Sequence, residues 1–381
     1  METTTYGNET VILDAYKQWA VRPDDERFLS LDALYDATRA RAGRSNVYDA
    51  PTKELQFTGA LGEDDESAMI VQLNQSSPVM IPSHWSFSQL AGHAKAHADT
   101  IRRTHPEIGA RLLSHNMRHV APKEEYGFYV EDIDGGERSL RAMTGTNYGR
   151  IYDYDVVNKV REVAGDWTVP GHFGKPLEEV TLRDTTLYAS DRDVFIFLVD
   201  ENTPISIPKP SGGNEDLFRG FMVSNSEVGA ASFKLSMFLY RMVCCNRMVW
   251  GASDIREISL RHSSGAPERF VQEGSKLLTR YAESTLDETR DILAGSMTRK
   301  VGATDDTAAD WLSKRGFTKS QATAIVARAN EEEGQARTVW DVVQGGTALA
   351  RGIKHQNARV QLERKVSKLL DPPKRSRSVA A

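Results

Sequence analysis

Two arginines and a tyrosine flank a glycine-containing turn in the stretch RAMTGTNYGR, residues 141–150. Cations beside an aromatic ring in a loop suit a phosphate group or a stacked base. Arg141, Tyr148 and Arg150 are therefore candidates for nucleic-acid binding. The same pattern also suits a plain turn with a buried tyrosine, and the sequence leaves both interpretations open.

Basic residues recur at two other places in the chain. Arg261 and His262 follow the stretch DIREISL, and the same two interpretations apply to them. The C-terminal tail carries Lys374, Arg375 and Arg377. Such a tail binds nucleic acid by releasing counterions from the phosphates, although a short basic tail also serves solubility alone. These residues join the nucleic-acid-binding candidates.

Residues 223–252 have the sequence VSNSEVGAASFKLSMFLYRMVCCNRMVWGA, in which the polar phrase, the short segment over residues 225–229, is followed by a long apolar run. Asn and Ser side chains favour local bonds to the backbone, and Gly229 accommodates a positive φ angle or a close backbone approach. We interpret the stretch as a fold signature, with a catalytic loop as the alternative. The signature residues are Asn225, Ser226, Glu227, Gly229, Cys244 and Asn246.

The only two cysteines, Cys244 and Cys245, are neighbours. A disulfide between adjacent residues is strained, because their Cα atoms lie too close for the usual geometry. We expect reduced thiols in a reducing cytoplasm. The first residues lack the pattern of a secretory signal, and no run approaches the roughly 18 apolar residues of a membrane helix. The sequence thus predicts a cytoplasmic protein that does not enter a membrane.

The motifs of familiar nucleotide and zinc sites do not occur in the sequence, so we predict no cofactor and no metal. Six of the nine histidines fall within residues 84–119. His93 and His97 are four apart, a spacing that on one helix face suits a metal, but they lack an acidic partner. A solvated helix is the simpler interpretation, and a pH-sensitive surface is a third. No residue is singled out as catalytic, although the parts of an enzyme need not be adjacent in sequence.

Charge is distributed unevenly along the chain. The formal net charge is -5, but residues 351–381 carry nine Lys or Arg and two Asp or Glu, a net of +7. The first 350 residues therefore carry a net charge of -12. An acidic body repels a polyanion, so nucleic-acid contact needs a local basic patch or the tail.

Sequence patterns predict helices around the candidate residues. A helix over 27–41 begins at the N-cap Ser30, and helices over 86–119 break at His105–Pro106 because proline disfavours helix in the preceding residue. The pattern of residues 138–164 predicts a strand, a turn and a helix capped by Asp153 or Asp155. Beyond about residue 268 the pattern is helical throughout.

Strands and turns are predicted from the same patterns. Residues 194–199 form a continuous apolar run that is typical of a strand buried on both faces. The apolar run that begins at Phe233 fits both the two-residue period of a strand and the spacing of a helix, and we favour a strand for part of it. Near the C-terminus, Gly316 is placed to close a helix in the left-handed conformation. Thr318 and Gln321 form a capping box for the next helix.

Together these patterns predict an α+β protein with a mixed or antiparallel sheet core and flanking helices. The predicted division is a core over residues 1–285, a helical region over 286–370 and a disordered basic tail over 371–381. A chain of this length buries a large core without disulfides or metals.

Seven phrases lie in order across most of the chain. They are RPDDERFLSL (22–31), SHWSFSQLA (83–91), LRAMTGTNYGRIYDYDVV (140–157), LYASDRDVFIFLVDE (187–201), FMVSNSEVGAASFKLSMFLYRMVCCNRMVWGA (221–252), LRH (260–262) and WDVVQGGTALAR (340–351). In these phrases the chain resembles the phage and plasmid proteins grouped as domain of unknown function 932. The resemblance implies an origin in a mobile element and carries no established activity, cofactor or catalytic residue. The chain departs from it at the doubled cysteine and at Asn246-Arg247.

The leading functional hypothesis is a nucleic-acid-associated accessory protein of a phage or plasmid that binds single strands during replication or recombination. The alternative is a non-enzymatic protein-binding module that acts on a host or phage complex, which an acidic body and a small helical unit also suit. The candidate partners are accordingly single-stranded nucleic acid and a host or phage protein.

Overall fold

The structure is a computed structural model that describes residues 23–61, 67–73, 79–121, 124–133, 136–172, 179–182, 185–210, 212–241, 246–248, 257–284, 287–353 and 356–371. Its strands are β1 (Ser45–Pro51), β2 (Gln56–Leu61), β3 (Ser67–Gln72), β4 (Ile81–Pro82), β5 (Glu125–Asp132), β6 (Arg138–Gly145), β7 (Leu187–Ala189), β8 (Val194–Val199), β9 (Ile205–Pro208), β10 (Asn214–Asn225), β11 (Phe233–Arg241), β12 (Asn246–Met248) and β13 (Glu257–Leu260). Its helices are α1 (Leu31–Gly43), α2 (His84–His93), α3 (Ala98–Arg102), α4 (Pro106–His119), α5 (Asp153–Ala164), α6 (Ala266–Arg269), α7 (Lys276–Glu283), α8 (Asp287–Thr298), α9 (Asp305–Ser313), α10 (Lys319–Glu333), α11 (Val339–Arg351) and α12 (Gln356–Ser367). A π-helical turn, Phe270–Ser275, joins α6 to α7.

Two main sheets organise the described chain. The larger has the strand order β12-β11-β10-β8-β7, with β13 also paired to β11 and β9 to β10, all antiparallel. The smaller has the order β1-β5-β6-β4, in which only β4 runs parallel to its neighbour. The hairpin β2-β3 forms a further pair. The predicted α+β class with a mixed or antiparallel core is confirmed.

The centre of the larger sheet is the long hairpin of β10 and β11, in which Phe221 lies opposite Met237. The run from Phe233 is therefore a strand, as we favoured. Strand β8 is buried at every position. Ile196 faces one apolar cluster and Phe197 faces another, so the strand is covered on both faces as predicted.

Two large hydrophobic cores lie on different parts of the chain. One runs from the larger sheet into the C-terminal helices and includes Phe221, Leu235 and Val343. The other fills the space between the smaller sheet and helices α2 and α4 and includes Leu90, Leu113 and Phe128. The first core crosses the proposed boundary at residues 285 and 286, and that division into domains stays a prediction.

Local signals near the C-terminus are confirmed. Gly316 has a φ of +86°, a left-handed conformation that residues with a Cβ adopt only at a cost. Thr318 accepts a hydrogen bond from the Gln321 backbone, and the Gln321 side chain accepts one from the Thr318 backbone, which completes the capping box. Ser30 likewise caps α1.

The predicted cap of α5 is wrong. Its N-cap residue is Tyr152, which makes no side-chain cap, and Asp153 is already the first helical residue. The carboxylate of Asp153 instead accepts a hydrogen bond from Asn225, 72 residues away along the chain. Spacing alone does not reveal this long-range partner.

The basic tail beyond residue 371 lies outside the described residues, so its predicted disorder stays a prediction. In the part of the chain that the structure describes, no helix is long and apolar enough to cross a membrane.

Candidate functional site

The polar phrase after β10 meets the smaller sheet and the start of α5 at one buried carboxylate, that of Glu227. Its Oε1 accepts a hydrogen bond from Nη1 of Arg141 at 2.5 Å and one from the Tyr129 hydroxyl at 3.4 Å. Its Oε2 accepts one from the backbone N–H of Asp153 at 3.1 Å. Glu227 is 3% exposed and Arg141 is 2% exposed. One carboxylate thus joins β6, the neighbouring strand β5 and the first turn of α5.

Arg150 occupies the second side of this site. It donates to the backbone carbonyl of Glu227 and, at 3.5 Å, to the Thr144 hydroxyl. Its guanidinium carbon lies 4.0 Å from the ring centre of Tyr129 and 5.1 Å from that of Tyr148. Cations over aromatic faces are attracted by the ring quadrupole. The arginine-tyrosine pattern of the sequence therefore forms, but inside the protein.

Asn225 fixes the start of α5 from the opposite side. Its Nδ2 donates to Oδ1 of Asp153 at 2.7 Å and to the carbonyl of Ile151 at 2.8 Å. Asn225 is fully buried, and a buried amide is costly unless it is hydrogen-bonded. The end of β10 is thereby tied to the residues that lead into the helix.

Ser226 and Gly229 shape the turn that follows. The Ser226 hydroxyl donates to the carbonyl of Arg192 at 2.6 Å and accepts from the Ala230 backbone at 2.9 Å. The Tyr148 hydroxyl donates to the Ser226 carbonyl at 3.2 Å. Gly229 has a φ of +84°, the conformation that the sequence suggested. We call the buried set Tyr129, Arg141, Arg150, Asp153, Asn225 and Glu227 the polar junction.

A cleft of about 910 Å³ opens beside the polar junction. Helix α5 forms one wall, and α6, the π-helical turn and α7 form the other, with Arg150 also in the lining. Lys276 and Arg280 lie one turn apart on α7, and both are exposed. Phe270 and Val271 supply apolar surface, and Val271 is 62% exposed. Clefts of this size take small molecules or short segments of a polymer.

The sequence reasoning missed this cleft. The available signal was the pair of cations four residues apart in KLLTRYAE, residues 276–283. That spacing places both on one helix face. Their position opposite α5 follows from packing and is not visible in the local sequence.

A protein-family comparison matches residues 178–369 to the model for a domain of unknown function (DUF932). The chain belongs to this family. No curated protein and no solved structure matches it. The DUF932 match contains Asn225 and Glu227, whereas Arg141, Arg150 and Asp153 precede it. The polar junction therefore joins the matched region to the residues before it.

Within the DUF932 protein, the polar junction brings two arginines and two acidic residues together. Burial raises the pKa of the Asp153 carboxyl well above its usual range, and the Glu227 carboxylate raises it further. Burial lowers the pKa of Arg141, but the Glu227 carboxylate and its hydrogen bond outweigh this and raise the pKa overall. Arg141 is thus a buried cation that forms ion pairs with Glu227 at 2.5 Å and with Glu131 at 3.6 Å. Contact with a phosphate would require the junction to open.

The other candidate residues occupy different environments. Arg261 is exposed, whereas His262 is partly buried and stacks on Tyr148 with ring centres 5.1 Å apart. Asn246 pairs with Arg241 through the backbone of β12. Cys244 and the tail residues Lys374, Arg375 and Arg377 lie outside the described residues. The nucleic-acid role of Arg261, His262 and the tail residues stays a prediction, as does the role of Cys244 and Asn246 in the fold signature.

The structure corrects the placement of the clustered histidines. Helix α2 ends at His93, and His97 is the N-cap of α3, so the two do not share a helix face. Lys95, between them, has a φ of +55°, which interrupts the helix. Among the described residues, no group of three or more His, Cys, Asp or Glu side chains is placed to hold a metal.

Acidification is expected to destabilise the DUF932 protein through His262. Burial lowers the pKa of His262 from its usual 6.5, Arg150 lowers it further, and the Gly149 carbonyl partly opposes the shift. The unfolded chain then binds the proton more readily than the folded protein. The contribution of neutral His262 to the free energy of unfolding is therefore fully present above the pKa of this histidine in the unfolded chain. It is lost as the pH falls from that value through the lower pKa of the folded protein.

We expect the fall in melting temperature from about pH 7 to about pH 5.5 to be smaller in His262→Gln than in the wild type. Differential scanning fluorimetry measures it. His115→Gln, an exposed histidine on α4, serves as the control and should retain the wild-type fall. An unchanged fall in His262→Gln would contradict the assignment.

Proposed function

We propose that this DUF932 protein binds single-stranded nucleic acid in the cleft between α5 and α7. The proposed setting is the cytoplasm of a bacterium that carries a phage or plasmid, where the protein assists replication or recombination. The observation that carries the proposal is the pair of exposed cations, Lys276 and Arg280, on the wall of a cleft with an apolar surface.

The cations suit successive phosphates of one strand. Residues four apart on a helix have Cβ atoms about 5–6 Å apart on the same face. In the part of the chain that the structure describes, neither Lys276 nor Arg280 forms an ion pair. Lys159 on the facing helix lies 3.5 Å from Glu162, an exposed pairing that contributes little to stability. Lys276 and Arg280, which form no ion pair with described residues, and Lys159, which forms a weak one, are thus available to bind a nucleic-acid backbone.

The remaining lining suits exposed bases. Val271, which is 62% exposed, offers apolar surface against which a base can pack, whereas Phe270 lines the cleft as a buried core residue. Glu162 and Glu283 also line the cleft, and carboxylates accept hydrogen bonds from the amino groups of bases. Bases are open to such contacts in single strands, whereas a duplex hides these edges in its grooves. A cleft with cationic, acidic and apolar lining in an acidic body therefore favours single strands over duplexes.

In this proposal the polar junction positions the cleft without touching the strand. Asn225 and Glu227 hold the first turn of α5, and α5 forms one wall of the cleft. Arg150 belongs to both features. Its guanidinium is committed to Glu227 and to the tyrosine rings, so we assign it the positioning role.

The double variant Lys276→Glu/Arg280→Glu tests the proposal. The measurement is the binding of labelled single-stranded and double-stranded DNA over a series of salt concentrations. The slope of log K against log salt is negative, and each phosphate contact to a single strand contributes about 0.7 to its magnitude. Loss of two contacts should therefore make the slope shallower by about 1.4. Affinity for single strands should fall at every salt concentration.

The matched control is Lys314→Glu/Lys319→Glu, which makes the same change in net charge at exposed positions near α9 and α10. It should keep the wild-type slope. A truncation after residue 371 separates the contribution of the basic tail. No single-strand binding by the wild type at low salt would overturn the proposal. Binding that only the truncation removes would place the contact in the tail.

A further inference from the structure

We propose that the outer edge of β1 is an interface between two copies of this chain, which pair their β1 strands antiparallel about a two-fold axis at Val47. The result would be one continuous sheet made from the smaller sheets of both copies. This inference does not depend on nucleic-acid binding.

Strand β1 is an edge strand that is open on both faces. It pairs with β5 along its length, and residues 46–49 are all exposed. Val47 is 47% exposed and Tyr48 is 39% exposed, and they point to opposite faces. Exposed apolar edges are templates for pairing with another chain, and proteins commonly protect them with Lys, Pro or a bulge. Strand β1 contains no Lys, and its single proline, Pro51, is its last residue and lies beyond residues 45–49.

The ladder between β1 and β5 shows which backbone groups point outward. The N–H of Asp132 donates to the carbonyl of Arg44, and the N–H of Thr52 donates to the carbonyl of Glu124. Hydrogen-bonded and non-hydrogen-bonded pairs alternate along an antiparallel ladder, so the even-numbered residues of β1 bond to β5. The N–H and C=O groups of Ser45, Val47 and Asp49 therefore face away from the sheet. In the described part of the chain, no other segment bonds to them.

A second copy fits this edge because β1 is complementary to itself. With the axis at Val47, Val47 lies opposite Val47 of the second copy, and Ser45 lies opposite Asp49. All three outward N–H groups of each strand then meet outward carbonyls. On the other face, Asn46 lies opposite Tyr48.

Charge and shape favour the same register. Asp49 is the only charged residue between residues 45 and 51, and it faces a serine hydroxyl. Like charges directly opposite one another destabilise a strand pair, and this register opposes none. Gly127 lies opposite Asp49 on β5 and has no side chain to crowd that face.

Position 47 permits a sharp test because the axis places it opposite itself. In Val47→Lys and in Val47→Glu, two like charges would meet, and the dissociation constant of the dimer should rise by about tenfold or more. An equimolar mixture of the two variants should form the heterodimer with nearly wild-type affinity. Analytical ultracentrifugation over a wide range of protein concentration measures each species.

The matched control is Val79→Lys, which changes a valine of similar exposure, 45%, outside β1. It should leave the dimer unchanged. Circular dichroism verifies that every variant is folded, and the recovery of the heterodimer excludes general damage to β1. A wild type that stays monomeric at its highest soluble concentration would overturn the inference. A dimer that persists in both single variants would also overturn it.

Discussion

Replacing Glu227 with alanine is expected to lower the free energy of unfolding by about 3–5 kcal/mol, the usual cost of breaking a buried ion pair on one side. The substitution removes the closer of the two carboxylates beside the buried cation of Arg141, so that only Glu131 remains, at 3.6 Å. It also removes the acceptor of the Asp153 backbone N–H. An uncompensated buried charge is more costly than the pair is stabilising. Urea denaturation followed by tryptophan fluorescence measures the difference.

The chain supplies a matched control for this prediction. Glu331 accepts from Arg328 at the same 2.5 Å, but both side chains are more than half exposed. Glu331→Ala should change the free energy of unfolding by no more than about 1 kcal/mol, because water screens the pair. Equal effects in Glu227→Ala and Glu331→Ala would mean that the polar junction does not stabilise the fold.

A second variant separates charge from packing. In the double variant Arg141→Met/Glu227→Gln both charges are removed, while side chains of similar length remain. It should be more stable than Glu227→Ala, because the buried cation is removed together with its closer carboxylate. A double variant that is less stable than Glu227→Ala would show that the hydrogen bonds, and not the charges, dominate.

Replacing Gly345 with alanine is expected to lower the free energy of unfolding by about 2–3 kcal/mol through overpacking. A Cβ at this position would lie 2.3 Å from the carbonyl oxygen of Ile325 and 2.6 Å from the backbone nitrogen of Ala329. Both atoms belong to the main chain of α10, so they cannot rotate away. Helix α11 must move from α10, and the core between them loses contacts. Thermal and urea denaturation measure the loss.

Gly295→Ala is the control for this substitution. Gly295 lies within α8 and has no neighbouring atom within 4 Å of the position of a Cβ. Alanine should stabilise the helix there by roughly 0.5–1 kcal/mol, because glycine loses more backbone entropy on folding. If Gly345→Ala were as stable as Gly295→Ala, the close crossing of α10 and α11 would not be a determinant of the fold.

The local elements were predictable where the decisive interactions are local. Ser30, Thr318 and Gly316 act on residues within one helical turn, so their spacing in the sequence carries the information. The break at His105–Pro106 is of the same kind. The buried strand β8 was predictable because six consecutive apolar residues leave no polar face.

The candidate site was predictable only as a set of residue types. The sequence grouped Arg141, Tyr148 and Arg150 as cationic and aromatic candidates, and the structure places the Arg150 guanidinium 5.1 Å from the ring centre of Tyr148, whereas Arg141 lies over Tyr129. It did not indicate that Glu227, 86 residues from Arg141, meets the arginine in the interior. Burial depends on which segments fold against each other, and the residues near Arg141 in the sequence do not indicate which distant segment will cover it.

Hydrophobic period and capping residues act over short distances, so the sequence alone indicated the α+β class, the capped helices and the buried strand β8. Three features became visible only in the folded protein: residues 225–227 meet a buried polar junction, α5 and α7 enclose a cleft, and β1 lies at an open edge. Each of these depends on contacts between segments far apart in the chain. Such contacts arise when apolar faces are buried together, and their geometry follows from the packing of the whole.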